Sequence, residues 1–332
     1  MPTALITGIN GQDGSYLAEF LLSKEYHVVG ATQSRNANLE RILEIREKIE
    51  IVEMDLLNQG LLEDVLRKYA PDEVYNLAAR ASSSELWTKP VLTGELNALG
   101  VARMLDAISK IDREVRFVQA SSSEVFGDAA EVPQTEATPF HPRNPYGVAK
   151  AYGQWMTVIY REQQRLFACS CILYNHESPR RGLEFVTRKI SHAVAKISLG
   201  QATELRLGSL EARRDWGFAG DYVQAMWLAL HQPAADDYII ATGETHSVRD
   251  FCKVAFAHVG LDYQDFVIED VSDHRPPETA LLVGNAAKAH RVLGWKPKTT
   301  FHALVKMMVD ADIKAIRDNQ ISEKKASVSA LI

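Results

Sequence analysis

A doubly wound parallel α/β sheet is the fold class this sequence predicts, and three observations predict it. The chain opens with an apolar run over 3–7 that ends in GINGQDG, a glycine-rich junction leading into a helical pattern over 15–22. Short apolar runs and amphipathic segments then alternate, the signature of βαβ units. The chemically notable residues stand where those runs end, and ligands of such sheets lie beyond the carboxyl ends of the strands.

The totals suit that architecture. At 332 residues the chain exceeds what one core usually fills, so a large domain with an appended lobe is expected. Residues 1–175 form the dinucleotide-binding part, with 215–245 returning to it. Residues 176–214 and 246–313 form a smaller α/β substrate lobe, and 314–332 is a polar tail expected to fray. With 46% hydrophobic and 24% charged residues and a net charge of −6, the composition is that of a globular protein. It favours neither a nucleic-acid surface nor a membrane patch. The first residues, MPTALITG, enter a strand without the basic and apolar regions of a signal peptide, and no run of about 18 apolar residues occurs. A cytoplasmic location follows as an expectation. The three cysteines, Cys169, Cys171 and Cys252, have neither CxxC nor zinc spacing, so no metal is expected.

In order, the glycines Gly8, Gly11 and Gly14 let the backbone approach a pyrophosphate and aim a helix N-terminus at its charge. The spacing is GxxGxxG, followed by a second strand over 27–31. An acid after that strand would hold the ribose of NAD, whereas arginine accepts the 2′-phosphate of NADP. The stretch ATQSRNANLER offers no acid before Glu40 and places Arg35 near the strand end, which favours NADP; the alternative is a solvated loop charge. Strands at 48–54, 73–79 and 115–120 alternate with helices near 61–69 and 97–109. Asp55, at the end of the third strand, serves either the adenine or a helix cap.

After the fifth strand come SSSEVFG, a Pro-rich loop and PYGVAK. Tyr146 and Lys150 share a helix face at i and i+4, so the ammonium is expected to lower the phenol's pKa from about 10 towards a usable base. Farther on, NHESPRRGLEFVTRK carries Arg180, Arg181, Arg188 and Lys189 within ten residues. Beside a dinucleotide domain this points to a second phosphate-bearing ligand, the alternative being a salt-bridged loop.

Together with EVYNLAA, PRNPYGVAKAYG, LYNHESPRRGLEFVTRKI, ELRLGSLEARRDWGFAGDYVQAMW and VLGWKPKT, these stretches make residues 4–308 resemble the GDP-mannose 4,6-dehydratases, extended short-chain dehydrogenase/reductases with a Rossmann-type sheet. The resemblance implies a catalytic set of Ser122, Glu124, Tyr146 and Lys150. It implies that Tyr146 takes the sugar O4 proton as hydride leaves C4, and that Glu124 takes the C5 proton and helps water leave from C6. Hydride then returns to C6, giving a 4-keto-6-deoxy sugar with no net use of NADP. Cofactor contacts are implied at Gly8, Asn10, Gly11, Gln12, Asp13, Gly14, Arg35, Asp55, Leu56, Leu77, Ala78, Tyr146, Lys150 and His176. The GDP-linked sugar is implied at Ser122, Glu124, Asn175, Val186, Lys189, Leu205, Gly208, Arg214, Arg275 and Glu278. The implied assembly is a homodimer or homotetramer.

The chain departs from the family pattern at several places. Ser122 stands for Thr, Arg80 for Gln, Ala81 and Leu86 for two Ser, and Ser34 for the first of an arginine pair. Loss of hydroxyls near the hexose keeps GDP-manno-heptose open as substrate. An NADPH-consuming GDP-4-keto-6-deoxy-sugar reductase or epimerase would share the Tyr/Lys pair, whereas the intact set Ser122, Glu124, Tyr146 and Lys150 argues against a non-catalytic protein that only binds the dinucleotide.

Overall fold

In the computed structural model the described residues are 1–332 except 35, 82–86, 112–113, 271–280 and 330–332, and in the last helix side chains are described through residue 321. Seven strands form the main sheet: β1 (Thr3–Thr7), β2 (His27–Thr32), β3 (Glu50–Glu53), β4 (Glu73–Asn76), β5 (Arg116–Ser122), β6 (Phe167–Leu173) and, after four short strands, β11 (Asp237–Ile240). Their order is β11-β6-β5-β4-β1-β2-β3 and every pairing is parallel. The direction of winding reverses between β1 and β4, so the crevice for a dinucleotide opens beyond their C-terminal ends.

Alternation along the strands explains why helices cover both faces. Ala4, Ile6, Val28, Tyr75, Val118 and Cys169 pack with α1 (Gln12–Ser23) and α7 (Ala219–Leu230). Their neighbours Leu5, Val29, Val74, Phe117 and Ala168 pack on the other face with α2 (Gln59–Tyr69) and α4 (Gly100–Ile111). Both faces of the sheet are thus apolar, as parallel sheets require. Cys169 and Cys171 are fully buried on the first face, and burial pushes their thiols up, Cys169 to about 12. They act as apolar filling there.

α3 (Pro90–Gly94) and a wide turn at Glu95–Leu99 precede α4, where a single helix over 97–109 is the sequence expectation. That π-type turn carries Asn97, whose side chain both donates to and accepts from the Arg80 backbone at 2.8 Å. A long helix, α5 (Pro145–Gln163), which carries Tyr146 and Lys150, lies against α3 and α4.

The remaining strands are β7 (Asn175–Glu177), β8 (Leu205–Leu207), β9 (Arg213–Arg214), β10 (Trp216–Phe218), β12 (His246–Ser247) and β13 (Val267–Glu269), paired in twos. Around them α6 (Val186–Ser198), α8 (Val248–His258) and α9 (Phe301–Ser329) enclose a separate cluster that includes Ile190, Phe251, Leu304 and Met308. The tail expected to fray from residue 314 instead continues α9 to Ser329. Ile316 is buried, and the segment KAIRDNQISEKKASVS has no Gly or Pro to stop it.

Candidate active site

The helix α5 begins where it does because Asn144 caps it: its Oδ1 accepts from the Gly147 N–H at 2.8 Å, and Pro145 occupies the first turn. A Cβ on Gly147 would lie 2.5 Å from the Glu124 carbonyl oxygen, so glycine lets the first turn of α5 sit directly on the Ser123–Val125 turn. Ser122 ends β5 and caps that turn, accepting from the Glu124 N–H at 3.3 Å. Ser122, Glu124, Tyr146 and Lys150 therefore meet at one place, with Ser122 and Glu124 both near enough to the Tyr146 phenol to influence its charge. The Lys150 Nζ lies 5.6 Å from the centre of the Tyr146 ring.

The electrostatics differ from the sequence expectation. Burial pushes Tyr146 up to about 12, and Glu124 adds to the rise against the lowering by Ser122. Lys150 is buried, and burial pulls it down to about 8 while its Nζ donates to the Ala120 carbonyl at 2.7 Å. The i, i+4 spacing places the two groups together, but desolvation of the phenolate outweighs an ammonium that is itself desolvated.

Behind the site runs a buried polar chain with no counterpart in the sequence expectations. Thr7 Oγ1 donates to Asn76 Oδ1 at 2.8 Å, Asn76 Nδ2 to Gln119 Oε1 at 2.7 Å, and Gln119 Nε2 to the Ala120 carbonyl at 2.8 Å. Thr7 Oγ1 also accepts from the N–H groups of Leu77 and Ala78. One network thus joins the ends of β1, β4 and β5 to Lys150. Polar residues breaking otherwise apolar strands, in LITG, VYNL and VQAS, are its only sequence trace.

The glycine loop fits a dinucleotide. Gly8 has φ +69 with the Ala78 backbone 3.0 Å from where its Cβ would be, and a Cβ on Gly14 would lie 2.3 Å from the Gly8 carbonyl oxygen. Gly11 is the N-cap of α1 and supplies no side-chain cap bond, as a helix N-terminus that receives a phosphate group requires. Gln12 and Asp13 are spent inside the protein. Gln12 Nε2 donates to the His176 carbonyl at 3.1 Å and Gln12 Oε1 accepts from Ser178 at 2.8 Å. Asp13 lies 2.9 Å from His176 Nε2. Asn10 ties the loop to the Asn38 carbonyl at 3.1 Å. Leu56 is buried and Leu77 partly so. Asp55 accepts from the Leu57 N–H at 3.0 Å, while the cap of α2 is Asn58, so Asp55 closes a turn rather than capping that helix. Arg35 lies outside the described residues, as do Arg275, Glu278 and Leu86.

His176 stacks on Tyr222, with ring centres 4.9 Å apart, and its Nδ1 faces the Tyr174 carbonyl at 2.7 Å. Burial works against its charge, but the Asp13 carboxylate outweighs burial and raises its pKa above the usual 6.5. Asp13 is lowered: burial opposes this, and His176 overcomes it. A raised histidine stabilises the fold fully below about 6.5 and loses that contribution as pH climbs through its folded pKa. A lowered aspartate stabilises above about 3.9 and loses its contribution as pH falls through its folded pKa. The stability advantage of the protein over a His176→Gln variant should therefore be greatest in the mildly acidic range and shrink from neutral to alkaline pH, as melting temperatures across pH will show.

A second recess, a cavity of about 440 Å³, lies on α6 and β8 and is lined by Lys189, His192, Lys196, Leu205 and Arg206, among others. It takes in Lys189 and Leu205 of the expected nucleotide residues. Val186 opens α6, Gly208 follows β8, Asn175 opens β7 and Arg214 lies in β9, all outside that lining. His192 and Lys196 went unnoticed, although they recur with Lys189 at helical spacing. The arginine cluster largely resolves into ion pairs. Arg180 reaches Glu19 at 2.5 Å, Arg181 lies 3.3 Å from Glu177, and Arg188 pairs with Asp312. These arginines fasten α6 and its loop to α1 and α9, leaving Lys189 as the member that faces the cavity.

The chain is similar to known proteins over most of its length. The family described as GDP-mannose 4,6 dehydratase matches residues 5–308. GDP-mannose 4,6 dehydratase 2 of Arabidopsis thaliana is 48% identical over 96% of this chain and 88% of its own length. The fold is similar to that of a dTDP-glucose 4,6-dehydratase from Bacillus anthracis in complex with NAD, with a TM-score of 0.82 at 22% identity over 95% of this chain and 97% of that one. It is also similar to RMD from Pseudomonas aeruginosa complexed with NADPH, with a TM-score of 0.81 at 22% identity over 95% and 100%. On the match across nearly its whole length, this chain belongs to the GDP-mannose 4,6-dehydratase family.

Proposed function

We propose that this enzyme converts a GDP-linked manno sugar into its GDP-4-keto-6-deoxy derivative, using tightly held NADP. The observation that carries the reading is the meeting of Ser122, Glu124, Tyr146 and Lys150 beside a glycine cradle, within a chain of that family. Gly8, Gly11 and Gly14 with Leu77 and Ala78 would hold the dinucleotide, and Arg35 its 2′-phosphate. When bound, the nicotinamide supplies a hydride acceptor for C4 and, once reduced, a hydride donor for C6.

The protein's own groups move the protons. Ser122 and Tyr146 bracket the sugar O4, and Tyr146 takes its proton while Lys150 stabilises the phenolate. Oxidation at C4 acidifies the C5 proton, which Glu124 removes and then delivers to the departing C6 hydroxyl, and a proton of solvent origin is placed on C5 as hydride returns to C6. The diphosphate and guanine extend towards Lys189, Leu205 and the basic recess on α6 and β8. Arg214, Arg275 and Glu278 complete the nucleotide contacts, with Asn175, Val186 and Gly208 nearby. An NADPH-consuming reductase is separated from this reading by stoichiometry. Purified protein with GDP-mannose and a trace of NADP+ should form a product lighter by one water, with no net NADPH change; a reductase would need NADPH mole for mole.

The same reading includes a homodimer or homotetramer and a cytoplasmic location. Among the described residues no helix is long and apolar enough to cross a membrane. On α5, Val148, Tyr152, Trp155 and Ile159 form one exposed apolar face at helical spacing, with Val91 and Leu99 on the adjoining helical segment. A second copy meeting the same face across a two-fold axis would bury it. A Trp155→Glu, Ile159→Glu double variant should sediment as monomer where the unaltered protein sediments as dimer; an unchanged sedimentation coefficient would remove α5 from the interface.

A further inference from the structure

From the contacts at the start of α5, we infer that Asn144 is a positioning residue that holds the Glu124 carboxylate by one oxygen, in register with Tyr146 and Lys150. The inference rests on the proposed role of Glu124 as the proton carrier between C5 and C6. Asn144 Nδ2 donates to Glu124 Oε2 at 2.8 Å, while Asn144 Oδ1 accepts from the Gly147 N–H at 2.8 Å. Both ends of the amide are engaged, which fixes its orientation: only the NH₂ end can face the carboxylate. Among the described residues no other side chain donates to Glu124.

The arrangement has a chemical consequence. A carboxylate that takes a proton from ring carbon C5 and hands that same proton to the hydroxyl on exocyclic C6 works through one oxygen that must reach both. A donor on Oε2 leaves Oε1 as the working oxygen and fixes the plane of the group. Because the same amide caps α5, it couples Glu124 to the helix that carries Tyr146 and Lys150. The close approach of Gly147 to the Glu124 carbonyl clamps the backbone of the same turn, at 2.5 Å from a would-be Cβ. Ser, Thr and Asp also cap helices, so capping alone does not call for the amide. Asparagine adds the donor that Glu124 needs.

Two variants separate the cap from the donor. Asn144→Asp keeps a capping oxygen but sets a carboxylate against Glu124, and Asn144→Ser keeps a capping hydroxyl on a shorter arm. In both, elimination should slow about 10- to 100-fold while KM changes little. C4 oxidation should stay fast, so near-ultraviolet absorbance of the reduced nicotinamide should build up transiently during turnover. If oxidation and elimination fell together with the melting temperature, Asn144 would be a cap only. Elimination at the unaltered rate in both variants would also overturn the inference. A double-mutant cycle in melting temperature between Asn144→Ser and Glu124→Gln decides the contact without turnover. Non-additive shifts support the tie, and additive ones dismiss it. Were the unaltered protein inert towards GDP-mannose, the functional reading would fall while this cycle still reported on the pair.

Discussion

Replacing Tyr146 with Phe should lower kcat by about 10²- to 10⁴-fold with KM little changed, the range expected for loss of a positioned acid–base group. The substitution removes one oxygen from a ring that stays in place, so the melting temperature should change little. With burial pushing Tyr146 up to about 12, the group is an uncharged phenol in the folded protein near neutral pH, and its loss removes no buried charge. The defect should lie in C4 oxidation itself, and no reduced nicotinamide should accumulate in single turnover. Turnover that survived in Tyr146→Phe would assign the O4 proton to another group, Ser122 at the end of β5 being the first candidate.

Glu124→Gln should give the complementary result. The amide can still accept from Asn144 Nδ2, so the turn over Ser123–Val125 should persist. It can neither take the C5 proton nor donate one to the departing C6 hydroxyl. Oxidation should proceed once and stop, with reduced nicotinamide accumulating to about the enzyme concentration and overall kcat falling by about 10²-fold or more. Single-turnover absorbance checks this, and a loss of oxidation and elimination in equal measure would contradict it. The two variants thus divide the reaction at the 4-keto stage.

Much of this site is legible in the sequence because the backbone topology sets it. GINGQDG after a short apolar run, and the Tyr146/Lys150 pair after the fifth such run, fall at strand ends, where a parallel sheet gathers its ligands. What was not legible depends on side chains meeting across long separations. The Thr7, Asn76 and Gln119 chain spans three strands, and no local pattern announces it. The arginine cluster reads as a phosphate site because its partners, Glu19 and Asp312, lie far along the chain. The Tyr146 pKa goes the other way from expectation because spacing reports proximity to Lys150 but not how far both are desolvated. The tail from 314 looks polar enough to fray, yet it extends a helix whose buried face, Leu304, Met308 and Ile316, is set by packing in the smaller lobe.

In the proposed reaction one sugar is served by one bound cofactor, with hydride leaving C4 and returning to C6. Turnover of GDP-mannose deuterated at C4, in ordinary water with catalytic NADP+, tests it most directly through mass spectrometry and proton NMR of the product. The product should be a nucleotide sugar that has lost one water and carries the deuterium at C6, with a solvent proton at C5. Deuterium collected in the cofactor pool, or a product that keeps its C6 hydroxyl, would contradict it.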